Sequence, residues 1–290
     1  MRKFSNRPLK PLLQVTIIRQ GITLQGRSRH WNPVLMTLVA TTLGAVLHSG
    51  VVRAQKTEPA PPPELKNLIA QIDATASSHN VQSVLEYYSP NFTQSDGLTR
   101  QTLGQALSEL WKRYPDLKYQ TDIKSWKAEG KGFSAETVTR ITGTQKIGNR
   151  DWKIDSTLRS RQLFENQKIV QQEILGEKSL ITSGKNPPTV VLNLPEQLKP
   201  GQQFNFDAIV QEPLGNDLLL GSALEEPVKA DGFVNPTTAD LEVLSAGGIY
   251  KVGRAPTTPE NRWLSAVVVR QDGMTLVTQR LNVVGSKAAK

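Results

Sequence analysis

Hydrophobic positions along this chain change period at residue 117, and the change separates a helical stretch from a long run of strands. Between residues 64 and 114 apolar residues recur at helical spacing. Leu65, Leu68, Ile69, Ile72 and Ala76 share one side of a helix predicted over 64–78. Val81, Val84, Leu85 and Tyr88 repeat at i, i+3, i+4 and i+7 in a second, short helix that Asn80 can cap. Ser89-Pro90 closes it, because the residue before a proline disfavours helical backbone. Leu103, Ala106, Leu107, Leu110, Trp111 and Tyr114 form the stripe of a third helix, capped by Thr99 and stopped by Pro115.

From residue 117 onward the period is two. Strands are predicted over 117–128, 133–145, 152–164 and 168–175, joined by the turns Glu129-Gly130-Lys131-Gly132, Gly148-Asn149 and Glu165-Asn166. Phe133, Ala135, Thr137, Thr139 and Ile141 alternate with Ser134, Glu136, Val138 and Arg140, as in a sheet with one buried face. Asn186-Pro187-Pro188 marks a boundary, and the helical period does not return beyond it. Short strands at 189–194, 204–210, 218–223, 239–244, 248–252, 263–270 and 274–284 read as a small β-sandwich. Asp272-Gly273 is a strong hairpin turn between the last two. Glu225-Glu226 and Asp231 repeat no calcium-ligand spacing and read as a solvated loop.

Charge changes the picture at the start of the chain. Residues 1–54 hold eight Lys/Arg and no Asp or Glu; without them the formal net charge falls from +9 to +1. The alkaline balance belongs to this leader, which excludes a nucleic-acid partner for a nearly neutral remainder. Its apolar run, PVLMTLVATTLGAVLHSGVV, is followed by Val52-Arg53-Ala54. That order reads as a signal peptide cleaved after Ala54, or as a membrane anchor if retained. Either places the remainder in the periplasm or an equivalent extracytoplasmic compartment. KTEPAPPP over 56–63 is an extended Pro-rich tether.

Three helices followed by a four-stranded meander resemble the NTF2-like (SnoaL-like) superfamily. The phrase Val84-Leu85-Glu86-Tyr87-Tyr88-Ser89-Pro90-Asn91-Phe92 is similar to its second helix and exit. The resemblance implies an α+β fold, a cone of three helices and a curved antiparallel sheet, whose cavity holds a small ligand, catalyses, or is filled. The all-β remainder resembles immunoglobulin-like accessory domains of exported bacterial proteins. The expected organisation is a signal or anchor at 1–54, a linker at 55–63, the NTF2-like domain at 64–183, a linker at 184–188, the sandwich at 189–285 and a tail at 286–290.

Catalytic groups are scarce for such a cavity. Isomerase-like members of the superfamily use a carboxylate base with a Tyr and a protonated Asp, and dehydratases use a His–Asp pair. The first helix has no Tyr, and His79 is the only His after the leader, at the joint between the first two helices. Asp96 and Glu173 remain as candidate bases, with Tyr88 or Tyr114 as donor; Glu173 shares strand parity with Ile169 and Leu175. Tyr88, Trp111, Tyr114, Thr137, Thr139 and Ser156 are the candidate cavity residues. Trp126 has the opposite parity from Tyr119 and Ile123, which makes it a candidate outward interface for a homodimer. With no Cys and one His after the leader, neither a metal site nor a cofactor is expected. The preferred expectation is an exported binding or scaffolding protein for a small apolar ligand or a protein partner. The competing one is an isomerase- or dehydratase-like enzyme using an inward carboxylate.

Overall fold

The computed structural model describes residues 60–147, 150–215, 217–230 and 239–285. The leader, most of the Pro-rich tether, the Gly148-Asn149 turn, Asp231 and the 286–290 tail lie outside the described residues.

Helices α1 (Pro63–Ser77), α2 (Val81–Leu85) and α3 (Arg100–Arg113) come from the stretch of helical period. Asn80 caps α2 by accepting from the Ser83 N–H, and Thr99 and Thr102 form a reciprocal capping box on α3. Tyr88 is not on a helix: the chain leaves α2 at Leu85, and Tyr88 opens strand β1 (Tyr88–Gln94). The meander follows as β2 (Lys118–Glu129), β3 (Gly132–Ile147), β4 (Arg150–Glu165) and β5 (Lys168–Gly184). The second half supplies β6 (Val190–Asn193), β7 (Gln197–Leu198), β8 (Gln203–Val210), β9 (Leu220–Pro227), β10 (Glu242–Val243), β11 (Gly248–Arg254), β12 (Arg262–Arg270) and β13 (Gly273–Val283).

The expected α+β cone followed by a separate sandwich is not what the chain builds. Strand takes 56% of the structure and helix 16%, and one large, mostly antiparallel sheet runs through both halves. Its order is β10-β9-β12-β13-β5-β4-β3-β2, with β1 beside β5 and β7 beside β13. The join is β5, which extends nine residues past its predicted end at Leu175 and pairs with β13 from Gly184↔Gly273 to Lys178↔Gln279. Sequence period marked the turn after β5 but could not show which strand would cover its open edge.

The helices lie on one face of this sheet. On the opposite face a three-stranded sheet, β11-β8-β6, covers the β9-β12-β13 end. Between them lies an apolar core that includes Phe204, Phe206, Ala208, Leu264, Ala266, Val268, Val277 and Leu281. Strands β12 and β13 are therefore buried on both faces, which is why residues 263–269 read as a nearly continuous apolar run rather than an alternating one. Glu225 and Glu226 lie in β9, not in a solvated loop, and Glu226 is fully buried.

Three bulges interrupt the alternation of the meander. In β2, Ile123 opposes Thr137 and Ser125 opposes Glu136, leaving Lys124 as the extra residue. In β5, the extra residues are Val170, between the partners of Phe164 and Leu163, and Leu175, between the partners of Ser160 and Arg159. Each extra residue moves the following side chains to the other face of the sheet.

Candidate functional site

The site forms where β5 changes neighbours. Ile169 to Gln172 run parallel to β1, whereas Lys178 to Gly184 run antiparallel to β13. The Leu175 bulge lies between these stretches, and the chain leaving β1 docks against it. The Ser95 N–H donates to the Gln172 carbonyl at 2.9 Å, and the Ile174 N–H donates to Ser95 Oγ at 3.0 Å. Gly97, at φ +88°, then turns the chain sharply away toward α3. Asp96 is thereby held over the seam.

Arg280 of β13 meets it there. Its two terminal nitrogens donate to the two oxygens of Asp96 at 2.9 and 2.5 Å, and both side chains are almost wholly buried, 1% and 2% exposed. This fork geometry is the strong form of a charge-assisted pair. Gln94 completes the Asp96 shell by donating from Nε2 at 3.1 Å.

Glu177 is the third member. It occupies β5 one rung beyond the last Lys178↔Gln279 pair, beside Arg280, and its Oε2 lies 3.7 Å from the guanidinium. The same oxygen accepts the Trp263 indole N–H at 3.0 Å. Glu177 Oε1 and Arg280 Nε are buried without a hydrogen-bond partner. Burial, the largest cause, pushes the Glu177 carboxyl above the usual carboxylate range; Arg280 and the Trp263 bond oppose the rise, and Asp96 adds to it.

Neighbouring rungs on the helix-facing side carry hydroxyls. Ser265 shares a 2.7 Å bond with Thr278, and Ser156 donates to Ser179 at 2.8 Å, both pairs buried. In β2 and β3, Thr121 and Thr139 share a 2.9 Å bond, and Asp73 of α1 accepts from the Thr121 N–H and hydroxyl at 2.6 and 2.7 Å.

Above the Asp96–Arg280–Glu177 cluster lies a cavity of about 150 Å³, roofed by α3. Leu103, Ala106, Leu107 and Leu110 wall it from the helix; Ile141, Leu158 and Ile174 wall it from the sheet. Of the α3 residues Gly104 and Trp111 are buried, whereas Leu103, Leu107 and Leu110 are partly buried, packing against the neighbouring cores while also lining this space. Asp96, Glu177, Arg280, Gln94, Gln172 and Ser156 supply the polar lining, and Glu109 and Arg113 of α3 also border it.

The sequence candidates are dispersed relative to this cavity. Asp96 lines it, and of the six cavity candidates Ser156 does too. Trp111 and Tyr114 are core residues; the Trp111 indole donates to the Tyr119 hydroxyl at 2.8 Å. Burial pushes the Tyr114 phenol up to about 12, against the pull of Arg113. Burial also pushes Tyr88 to about 12, with Asp73 adding to the rise, and its ring meets Phe92 edge-on at 4.8 Å. Thr137 is buried against Ser160 at 3.2 Å, and Thr139 is committed to Thr121. His79, in left-handed backbone after α1, donates from Nε2 to the Leu117 carbonyl at 2.8 Å.

Bulges account for two other placements. Glu173 is not inward: the Val170 bulge turns it to the outer face, where Arg161 bonds it at 2.6 Å with both side chains about half exposed. Trp126, past the Lys124 bulge, opposes the buried Ala135 and packs inward beside Phe133, with ring centroids 6.0 Å apart. Glu177 and Arg280 were missed altogether. The available signal was a lone Arg in the otherwise uncharged run over 273–284, and a Glu in phase with Ser179, Ile181 and Ser183. Among the described residues no group of three or more His, Cys, Asp or Glu could hold a metal ion, and no helix is long and apolar enough to cross a membrane.

The family described as "Domain of unknown function (DUF8623)" matches residues 185–284. No curated protein sequence matches the chain. Solved structures similar to it are of ketosteroid isomerase-like and SnoaL-like folds. A hypothetical protein of ketosteroid isomerase-like fold from Catenulispora acidiphila, in complex with trimethylamine, is 12% identical over 39% of this chain and 85% of its own, with a TM-score of 0.29. An LEH-like epoxide hydrolase of M. tuberculosis is 10% identical over 37% of this chain and 78% of its own, with a TM-score of 0.27. Bd1075 of Bdellovibrio bacteriovorus is 12% identical over 38% of this chain, with a TM-score of 0.29, and the match spans only 38% of its own length. At such scores the likeness decides neither activity nor ligand.

Proposed function

We propose that the cavity under α3 binds a small, predominantly apolar molecule, and that the Asp96–Arg280–Glu177 cluster is its polar floor. One observation carries this reading: partly buried leucines of α3 line a cavity directly above buried charged groups whose hydrogen bonding is incomplete. Buried polar atoms are normally paired, so unpaired ones beside a cavity favour a site over a packing fault. A closed apolar cavity of roughly this size accepts a benzene-sized guest in other proteins. The earlier expectation of export belongs with this reading, as a pocket protein held outside the cytoplasm by its leader.

The test uses methylcyclohexane as a hydrocarbon probe on the full chain. Binding raises the melting temperature in a concentration-dependent way, because a ligand held only by the native state stabilises it. Ala106→Phe, which places a ring in the cavity, removes that rise. A melting temperature insensitive to the probe in both proteins would dispose of the reading.

A second reading has its own observation. Glu177 offers a carboxyl of raised pKa, with one oxygen unpaired, at an apolar cavity, which is the equipment of a general acid or base. An enzymatic role would run through Glu177 and not through Glu173.

A further inference from the structure

The three-stranded sheet ends in β11, a strand with one free side. The Val210 N–H donates to the Gly247 carbonyl at 2.9 Å, and the Ala255 N–H donates to the Gln202 carbonyl at 2.8 Å. Both bonds fit the register of β11 with β8, so Ile249, Lys251 and Gly253 direct their backbone groups to β8. Tyr250, Val252 and Arg254 therefore direct N–H and C=O groups away from it. Among the described residues no strand pairs with that side. The Gly248 N–H is already used, donating to the Ala246 carbonyl at 2.7 Å.

The outer face of the same sheet is apolar beside this edge. Tyr250 is 49% exposed and Val252 42%; Val191 of β6, paired with Ile209 of β8, is 42% exposed as well. An uncovered edge with apolar residues beside it is a template for another strand. Lys251, by contrast, falls on the inner face, opposite Phe206. An inward lysine restricts which strand can be added, and in which register.

We propose that β11 is the interface of a homodimer, pairing antiparallel with β11 of a second copy so that the two three-stranded sheets become one. The strand complements itself in one register. With Val252 facing its own counterpart across a twofold axis, Tyr250 lies opposite Arg254, and Lys251 lies opposite Gly253. The Arg254 guanidinium then meets the Tyr250 ring on the outer face, at both ends of the pairing. Gly253 leaves the Lys251 stem room that a side chain would fill. Moving the axis to Lys251 sets two lysines face to face, which is destabilising. Moving it to Tyr250 sets Val252 opposite Gly248, whose N–H is taken. Charge thus selects both the partner and the register. The cavity under α3 lies on the opposite face of the large sheet, so this dimer is independent of the pocket reading.

Sedimentation of the full chain at increasing concentration is expected to show a monomer–dimer equilibrium. Val252→Pro removes an N–H that bonds nothing in β8, so β11 keeps its own pairing while the dimer is lost. Val252→Lys, an exposed change that sets two lysines opposite each other, is expected to raise the dissociation constant about tenfold. The chain has no cysteine, so single-cysteine variants report the register. A short bifunctional maleimide is expected to join Val252→Cys copies and to leave Val191→Cys copies, labelled on the far strand, unjoined. A monomer at every concentration overturns the proposal. A dimer unchanged by both Val252 substitutions, or one joined as readily through Val191→Cys, also overturns it and moves the interface elsewhere.

Discussion

The two halves share one sheet but finish their interiors differently. In the second half the core between β6-β8-β11 and β9-β12-β13 is apolar, with Ala208, Ala266, Val268 and Leu281 completely inaccessible, and the pocket beside Phe204, Phe206 and Leu264 is small, about 40 Å³. Across the seam, the helix-facing side of β3, β4 and β5 carries Thr137, Ser156, Ser160, Glu177 and Ser179 in buried positions, and α3 stands over a cavity. A protein with enough apolar residues to fill one half has spent polar ones on the other. That asymmetry separates a scaffold from a site more clearly than any single residue does.

The contrast is most exposed at Arg280. Arg280→Met leaves Asp96 and Glu177 buried without their shared cation, and is expected to cost about 3–5 kcal/mol in a denaturant titration. A cost below about 1 kcal/mol would mean that the cluster is solvated and that the seam resembles ordinary surface. Packing gives the next contrast. Leu281→Ala, completely buried in the apolar core, is expected to cost about 2–5 kcal/mol. Leu107→Ala, which packs against the core on one side and lines the cavity on the other, is expected to cost about 1 kcal/mol, the lower end of burial for a side chain with part of its neighbours missing. Equal losses would erase the distinction between the halves.

The smallest effect is a pH dependence. Glu177 has a folded pKa above its unfolded value, so its contribution is complete below the ordinary carboxylate range. It is lost as pH rises through the raised value, because ionisation is harder in the folded protein. Stability measured across that window should decline in the wild type and stay flatter in Glu177→Gln.

Much of the local structure was legible before the fold was known. Helical stripes, the Asn80 and Thr99 caps and the period-two strands all depend on neighbours close in sequence, and local chemistry records them. What was not legible lies beyond a bulge or across the seam. Glu173 and Trp126 were assigned faces by counting in twos, and a single extra residue at Val170 and at Lys124 reversed both. Nothing in those residue types announces a bulge; it arises from how two strands fit together. Glu177 sits two residues past the Leu175 bulge, where the strand was expected to have ended. The pairing of β5 with β13 likewise depends on an edge that only the assembled sheet defines, and with it went the expectation of two separate architectures.

The Asp96–Arg280 contact joins positions 184 residues apart, and this has a consequence for the order of events during biosynthesis. Helices and the β2–β5 meander can form as the chain emerges, but their exposed β5 edge and the unpaired carboxylates wait for the last of the described strands. Until β13 arrives, Asp96 and Glu177 lack the guanidinium that lies between them in the folded chain. Docking of β13 closes the edge and delivers the cation in the same step. The floor of the cavity is thus complete only in molecules synthesised through Arg280, and a chain truncated before that residue would present an open strand edge to chaperones and proteases.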